Sequence, residues 1–303
     1  MKEDNVEVES EEREGEEIEV DEEALPSRAA AIHEEIRQDG EKELERDGLA
    51  LLFSAIAAGL SMGASLMAKG IFQAHLDGVP GAFLLENLGY TFGFIIVIMA
   101  RQQLFTENTV TAVLPVMHKP TGGNLVLLLR LWAVVLFGNL IGTALASLAF
   151  THMPIFDDAT RQAFVAISQK VMENTPGEMF ANAVISGWII ATMVWMFPSA
   201  GNAKIWIIVL MTWLVALGDL AHIVVGSVEV LYLVFNGLIS WQEFLWPFAL
   251  PTLAGNIIGG TFIFALISHA QIRNDMSTRA KAEAKAKAEA KKKRDKKEKA
   301  EEG

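Results

Sequence analysis

The chain has 303 residues, 51% of them hydrophobic, with no cysteine and a formal net charge of −12. The charge sits at the ends: residues 1–48 hold 6 Lys/Arg against 20 Asp/Glu, residues 271–303 hold 12 against 7, and the 222 residues between hold 7 against 10. So sparsely charged a body cannot make a soluble surface, which excludes a soluble enzyme and points to a polytopic membrane protein; the lack of cysteine excludes disulfide frameworks and sulfur-ligated metal centres.

Residues 1–26 are acid-rich and free of aromatics, so they are expected to be disordered. They lack the basic-then-apolar pattern of a signal peptide, so insertion is expected to be directed by the first spanning helix. Residues 27–48 read either as a polar helix leading to the bilayer or as a solvated linker.

Six apolar segments follow, at roughly 49–69, 84–117, 124–150, 178–197, 204–237 and 247–270. About 20 residues suffice to cross a hydrocarbon core, so the second and fifth are too long for plain spans. Each has a polar interruption. The second breaks at Arg101-Gln102-Gln103-Leu104-Phe105-Thr106-Glu107-Asn108, and the fifth at Gly218-Asp219-Leu220-Ala221-His222. Lipid satisfies neither unwound backbone nor ionised side chains, so both breaks must face protein or a water-filled path. Arg101 and Glu107, flanking the first break, are expected to form a structural ion pair or to line a vestibule.

Residues 271–303 are rich in Ala, Lys and Glu, with no apolar stripe, and read as a solvated tail. An even number of spans puts both termini on one side, and the Lys/Arg-dense C-terminus makes that side the cytoplasm. The expected organisation is an acidic cytoplasmic tail over 1–48, a six-span channel domain over 49–270, and a cytoplasmic tail over 271–303.

The third segment contains Gly138-Asn139-Leu140-Ile141-Gly142, and the sixth contains Gly255-Asn256-Ile257-Ile258-Gly259, 117 residues later. The breaks, taken at Thr106 and His222, are 116 residues apart. Two landmarks at nearly one offset make spans 1–3 and 4–6 copies of one unit. A three-span unit must insert its second copy upside down. The expected fold is an all-α membrane protein with six transmembrane helices, arranged as an inverted 3+3 repeat with broken helices 2 and 5, the architecture of a pore or transporter. The Gly-Asn elements also suit close helix packing. Packing and path lining stay equally open for Asn139, whereas Asn256 is expected nearer the path.

Over residues 50–270 these motifs resemble the formate/nitrite transporter family. The carriers are Leu104-Phe105-Thr106 at the first break, His222 at the second, and the paired Gly-Asn elements. The acidic N-terminus and the run from Ala221 to Val228 look similar to that family's YfdC-like inner-membrane subgroup. The resemblance implies an aquaporin-like fold in a bacterial inner membrane, assembled as a homopentamer with one pore per protomer. It further implies passage of small monovalent anions and their conjugate acids, such as formate or nitrite, with no cofactor. By motif, Thr106 takes the place of the family's pore threonine, His222 that of its central histidine, and Asn256 that of its span-six asparagine. Leu104 and Phe105 would belong to apolar constrictions. Tyr90 and Phe94, four apart on one helical face, and Val215 in span five are further constriction candidates. Lys170 stands for the family's vestibule lysine. The chain departs from the family where acidic residues are usual, at Gln103 and Ala221, with Asp219 or Glu107 as the candidates to compensate. Gly187 replaces a span-four asparagine.

An anion in a narrow apolar slit must shed water at high cost. Broken helices offer unsatisfied N–H groups and the positive ends of their dipoles, and a histidine titrating near its ordinary 6.5 can hand a proton to a weak-acid anion. His222 is therefore the expected proton donor and Thr106 the orienting hydroxyl. The plainer role for His222 is a buried ring bonded to a helix end. Glu229 and Asp219 lie seven and three residues from His222, so only Asp219 is expected to tune it locally. His33, His75, His118, His152 and His269 are expected to be exposed, and no pair has metal-ligand spacing on a helix. The leading function is a weak-acid anion channel or proton-coupled carrier without nucleic-acid partners. The alternatives are a neutral-solute pore, motivated by Gln103 and Ala221, and a membrane scaffold or sensor with a vestigial pore, motivated by the charged tails.

Overall fold

The computed structural model of the chain describes residues 28–76, 78–275, 277, 278, 281, 285 and 287. The expectations for residues 1–26 and for most of the C-terminal tail lie outside the described residues. In chain order the helices are α1 (Arg28–Glu45), α2 (Gly48–Leu76), α3 (Ala82–Met99), α4 (Val113–His118), α5 (Gly122–His152), α6 (Asp158–Met172), α7 (Pro176–Ser199), α8 (Gly201–Leu217), α9 (Ile223–Phe235) and α10 (Trp241–Asp275). Helices α2, α3, α5, α7 and α10 are each long and apolar enough to cross a membrane. The fifth crossing is divided between α8 and α9, and the second passes from α3 through irregular chain to α4. These are the two broken spans expected from the sequence.

The inverted repeat shows in how its helices touch. A Cβ on Gly59 of α2 would meet the Asn139 carbonyl oxygen at 2.1 Å, and one on Gly187 of α7 would meet the Asn256 carbonyl oxygen at 2.4 Å. Reciprocally, a Cβ on Gly138 would lie 2.6 Å from Ala55 Cβ, and one on Gly255 2.6 Å from Ala183 Cβ. Glycine at both faces brings each pair of backbones into contact. Gly187 is thus the second-repeat counterpart of Gly59.

The breaks open with the same turn. Ala100, Arg101 and Gln102 donate their N–H groups to Ile96, Ile98 and Val97, and Gly218, Asp219 and Leu220 donate theirs to Leu214, Ala216 and Val215. Arg101 (φ 50°) and Asp219 (φ 48°) both take the left-handed conformation that ends a helix. The repeat register at the breaks is therefore 118 residues, not the 116 that separate Thr106 from His222. The counterpart of His222 is Leu104. The two breaks share their backbone turn up to this position, after which the first runs through the 3-10 turn Glu107–Thr109 and the second enters α9 directly.

Two elements lie outside the six crossings. Helix α1 is amphipathic, burying Ala30, Ala31, His33, Ile36, Gly40 and Leu44, so residues 28–45 are not a solvated linker. A Cβ on Gly40 would sit 2.0 Å from the Thr111 carbonyl oxygen, which seats α1 directly on the end of the first break. Arg37 pairs with Glu34 at 2.6 Å and also with Glu41 along α1. Helix α6, between the third and fourth apolar segments, starts on the Asp157 N-cap, whose carboxylate accepts from Thr160 N–H at 2.8 Å. It buries Ala163, Phe164 and Ile167, with Phe164 stacked on Phe150 at 5.6 Å between centroids.

Candidate functional site

The site is built where the two breaks meet, and an asparagine holds each break. Asn139 Oδ1 accepts from Phe105 N–H at 2.9 Å, while its Nδ2 donates to Ala55 O at 2.9 Å and to Gln103 O at 2.8 Å. Asn256 Oδ1 accepts from Ile223 N–H at 2.9 Å, and its Nδ2 donates to Ala183 O at 2.9 Å and Ala221 O at 3.1 Å. Both asparagines are fully buried. Inside a bilayer such freed backbone groups need partners. Asn256, expected nearer the path, spends both amide hydrogens on backbone in the same way as Asn139.

Between the braced breaks, Thr106 Oγ1 lies 2.8 Å from His222 Nε2. His222 is also the N-cap of α9, where its Nδ1 accepts from the N–H groups of Val224 and Val225, each at 3.3 Å. An imidazole nitrogen that accepts carries no proton, so the hydrogen sits on Nε2 and is donated to Thr106. Thr106 retains its own hydroxyl hydrogen, with no protein acceptor among the described residues. The ring of His222 meets Phe94 edge-on at 5.1 Å, and Phe94 in turn contacts Tyr90 at 5.4 Å. Thr106, His222, Phe94 and Tyr90 therefore form one cluster, all of it buried.

The other candidates divide. Leu104, Phe105 and Val215 are buried at the breaks. Phe105 packs edge-on against Trp132 of α5 at 5.8 Å, and the Val215 carbonyl closes the second break by accepting from Leu220 at 3.0 Å. Lys170 and Asp219 are joined, Nζ to Oδ2, at 2.7 Å, and both are about half exposed. They stand at the mouth of a cavity of about 50 Å³, which is also lined by Lys69, Tyr90, His222 and Glu229. The expected Arg101–Glu107 pair does not form among the described residues: Arg101 turns outward in its left-handed position and is exposed.

Two connections were missed in the sequence. Gln103 Nε2 donates to Glu43 Oε2 of α1 at 2.6 Å, and Gln103 Oε1 accepts from Asn108 Nδ2 at 3.0 Å. A carboxylate thus sits beside position 103, supplied by a neighbouring helix. His33 and His269, expected to be exposed, face each other with Nε2 and Nδ1 3.0 Å apart, and His33 is 5% exposed.

Residues 30–270 match the family model described as Formate/nitrite transporter. The chain belongs to the formate/nitrite transporter family. It is 76% identical to the inner membrane protein YfdC of Escherichia coli (strain K12), over 93% of this chain and 91% of that one. It is 24% identical to the formate channel FocA of Haemophilus influenzae, over 69% of this chain and 83% of that one. Among solved structures, a pentameric formate channel with formate bound superposes with a TM-score of 0.63 at 22% identity, covering 72% of this chain and 95% of that one. An FNT family ion channel superposes at 0.64 and 16% identity, covering 78% and 96%. At these identities the superpositions speak for the fold, and the formate/nitrite transporter assignment rests on the family match and the bacterial relative.

Proposed function

We propose that the chain is a channel, or a channel-like proton-coupled carrier, for small monovalent weak-acid anions of the formate and nitrite class. It works as a homopentamer in the inner membrane, with both termini cytoplasmic. The observation that carries this reading is the Thr106–His222 hydrogen bond at the junction of the two braced breaks. The imidazole holds the Thr106 oxygen, so the free hydroxyl hydrogen can be turned toward a permeant anion. The positive end of α9 lies at the same point.

The lysines of the vestibule draw the anion in. Near His222 and Thr106 it takes up a proton, and as the neutral acid it passes the apolar neighbours of the site at far lower desolvation cost. Support for pentamer, substrate class and membrane comes from relatives: the solved neighbour is a pentameric formate channel, and the 76% identical relative is an inner membrane protein.

The test is uptake of formate and nitrite by proteoliposomes against an imposed pH gradient. Uptake rising toward acidic pH, and lost in His222→Phe, is the expected result. Uptake unchanged by that substitution rejects the role of His222.

A neutral-solute pore is the second reading, and one observation favours it. The Lys170 ammonium is engaged by Asp219, which lowers the net attraction of the vestibule for anions. Glycerol or water permeability without anion flux in the same vesicles would decide for it.

A further inference from the structure

His222 has both ring nitrogens committed, Nδ1 to two backbone amides and Nε2–H to Thr106. Handing over a proton from this arrangement means breaking the bond that orients Thr106. The cavity next to His222 holds another proton-bearing group. Glu229, on α9 seven residues beyond His222, lines the same cavity. His222 caps α9 in extended conformation and Glu229 lies in the second turn of that helix, and the two side chains meet at the cavity wall. Glu229 is 5% exposed, and its carboxyl makes no hydrogen bond or ion pair among the described residues. Its carboxyl opens to the cavity, and ionisable groups inside membranes stand on ion and proton pathways.

The groups that face Glu229 come from every side of the cavity. Lys69 of α2 and Tyr90 of α3 interact with it electrostatically, as does Asp219 of the second break. Lys170 of α6 is held by Asp219, and His222 presents its neutral ring. Of the two lysines that line the cavity, Lys170 is bridged to Asp219, and Lys69 is the one that acts on Glu229. An anion in the cavity lies among the Lys69 ammonium, the Glu229 carboxyl and the His222 ring.

We propose that Glu229 is the proton station of the vestibule. The entering anion accepts the proton of the Glu229 carboxylic acid: the carboxyl O–H bond breaks, its electron pair stays on the carboxylate, and a new O–H bond forms on the permeant. The neutral acid moves on past Thr106 and His222. Hydronium from the vestibule side then reprotonates the carboxylate. The arrangement selects anions basic enough to take a proton from a carboxylic acid, such as small carboxylates and nitrite. It gives nothing to chloride or nitrate, whose conjugate acids are too strong.

This inference rests on the anion-transport reading, and the full-length protein in proteoliposomes tests the two separately. The variants are Glu229→Gln, which keeps shape, and Glu229→Asp, which keeps the acid; the probes are formate and chloride. With wild-type formate uptake rising toward acidic pH, Glu229→Gln is expected to lower it by about tenfold or more and to flatten its pH profile. Glu229→Asp is expected to restore the slope. A Glu229→Gln profile that matches the wild type overturns the inference and leaves the transport reading intact. Absence of uptake by the wild type overturns both. Infrared difference spectra give a readout free of transport. A carboxylic-acid band absent in Glu229→Gln and lost when formate is added supports the proposal; a band indifferent to formate rejects it.

Discussion

Asn139 and Asn256 are the same brace used twice. Each accepts from an N–H just inside a break, at Phe105 or Ile223, and each donates to one carbonyl of the break and one of the crossing helix. Replacing either by alanine leaves one donor and two acceptors without partners in a buried site. The expected loss is about 3 kcal/mol for each, from the cost of unsatisfied buried groups. Because the two sets match, Asn139→Ala and Asn256→Ala are expected to lower thermal stability in detergent by similar amounts. A large drop for one and none for the other would show that the second brace is not structural.

Much of this fold is legible in the sequence because lipid forbids what water allows. An interrupted apolar segment has to be a broken helix facing protein, and two interruptions paired with two Gly-Asn elements have to be a repeat. What sequence does not show is how the repeats register, since the equivalence of Leu104 with His222 is written in backbone hydrogen bonds rather than in residue types. Thr106 and His222 therefore look like equivalents when they are partners. Contacts across long separations are hidden for a similar reason: Gln103 finds Glu43 60 residues away and His33 finds His269 236 away. No local pattern in a polar N-terminal segment announces that it docks. Glu229 is passed over because seven residues look distant along the chain, although the fold brings it to the same cavity as His222.

The glycine contacts yield a second expectation. Gly59→Ala and Gly187→Ala each place a methyl within 2.4 Å or less of a backbone oxygen, whereas Gly177, at the start of α7, has nothing within 4 Å of the added carbon. The first two are expected to destabilise by about 2 kcal/mol, through overpacking that backbone cannot relieve. Gly177→Ala is expected to be close to neutral. Comparable melting temperatures for all three variants would contradict the helix contacts described.

Thr106 offers a test of the path that leaves the fold in place. Thr106→Val keeps the shape and removes the hydroxyl, so His222 Nε2–H loses its acceptor and the permeant loses its donor. Each of the two lost hydrogen bonds, from His222 and to the permeant, contributes about 1 kcal/mol, which together correspond to formate flux lower by about tenfold or more. Thr106→Ser, which restores the hydroxyl, is expected to recover most of the flux. Equal flux from the valine and serine variants would show that the hydroxyl is not used.

The His33–His269 contact makes the docking of α1 depend on pH. Burial, and then the neighbouring His269, hold His33 down at about 4, below the ordinary 6.5. Arg37 and His118 push the same way, while Glu34 opposes them. A base whose docked value is depressed disfavours the docked form once it is protonated. Docking is therefore at full strength above about pH 6.5, weakens as pH falls toward 4, and loses nothing further below that. Hydrogen exchange over residues 28–45, corrected for the intrinsic rate, is expected to accelerate across this interval. His33→Phe, which stays apolar and cannot be protonated, is expected to remove the change. Exchange that is flat with pH in the wild type would show that His33 does not report on docking.

Gln103 and Glu43 give the sharpest test of how α1 meets the first break, because the polarity of the pair can be reversed. At 2.6 Å a carboxamide donating to a carboxylate is favourable, and two carboxylates at that distance are not. Gln103→Glu is expected to release α1 in this chain, with faster exchange over residues 28–45 at pH 7. Glu43→Gln alone leaves a neutral pair able to hydrogen-bond in either direction, so its effect is expected to be small. Combined, Gln103→Glu and Glu43→Gln recreate one acid and one amide with the roles exchanged, and docking is expected to return. A double variant no better docked than Gln103→Glu would mean that the amide at position 103 serves its bond to Asn108 rather than the helix above it.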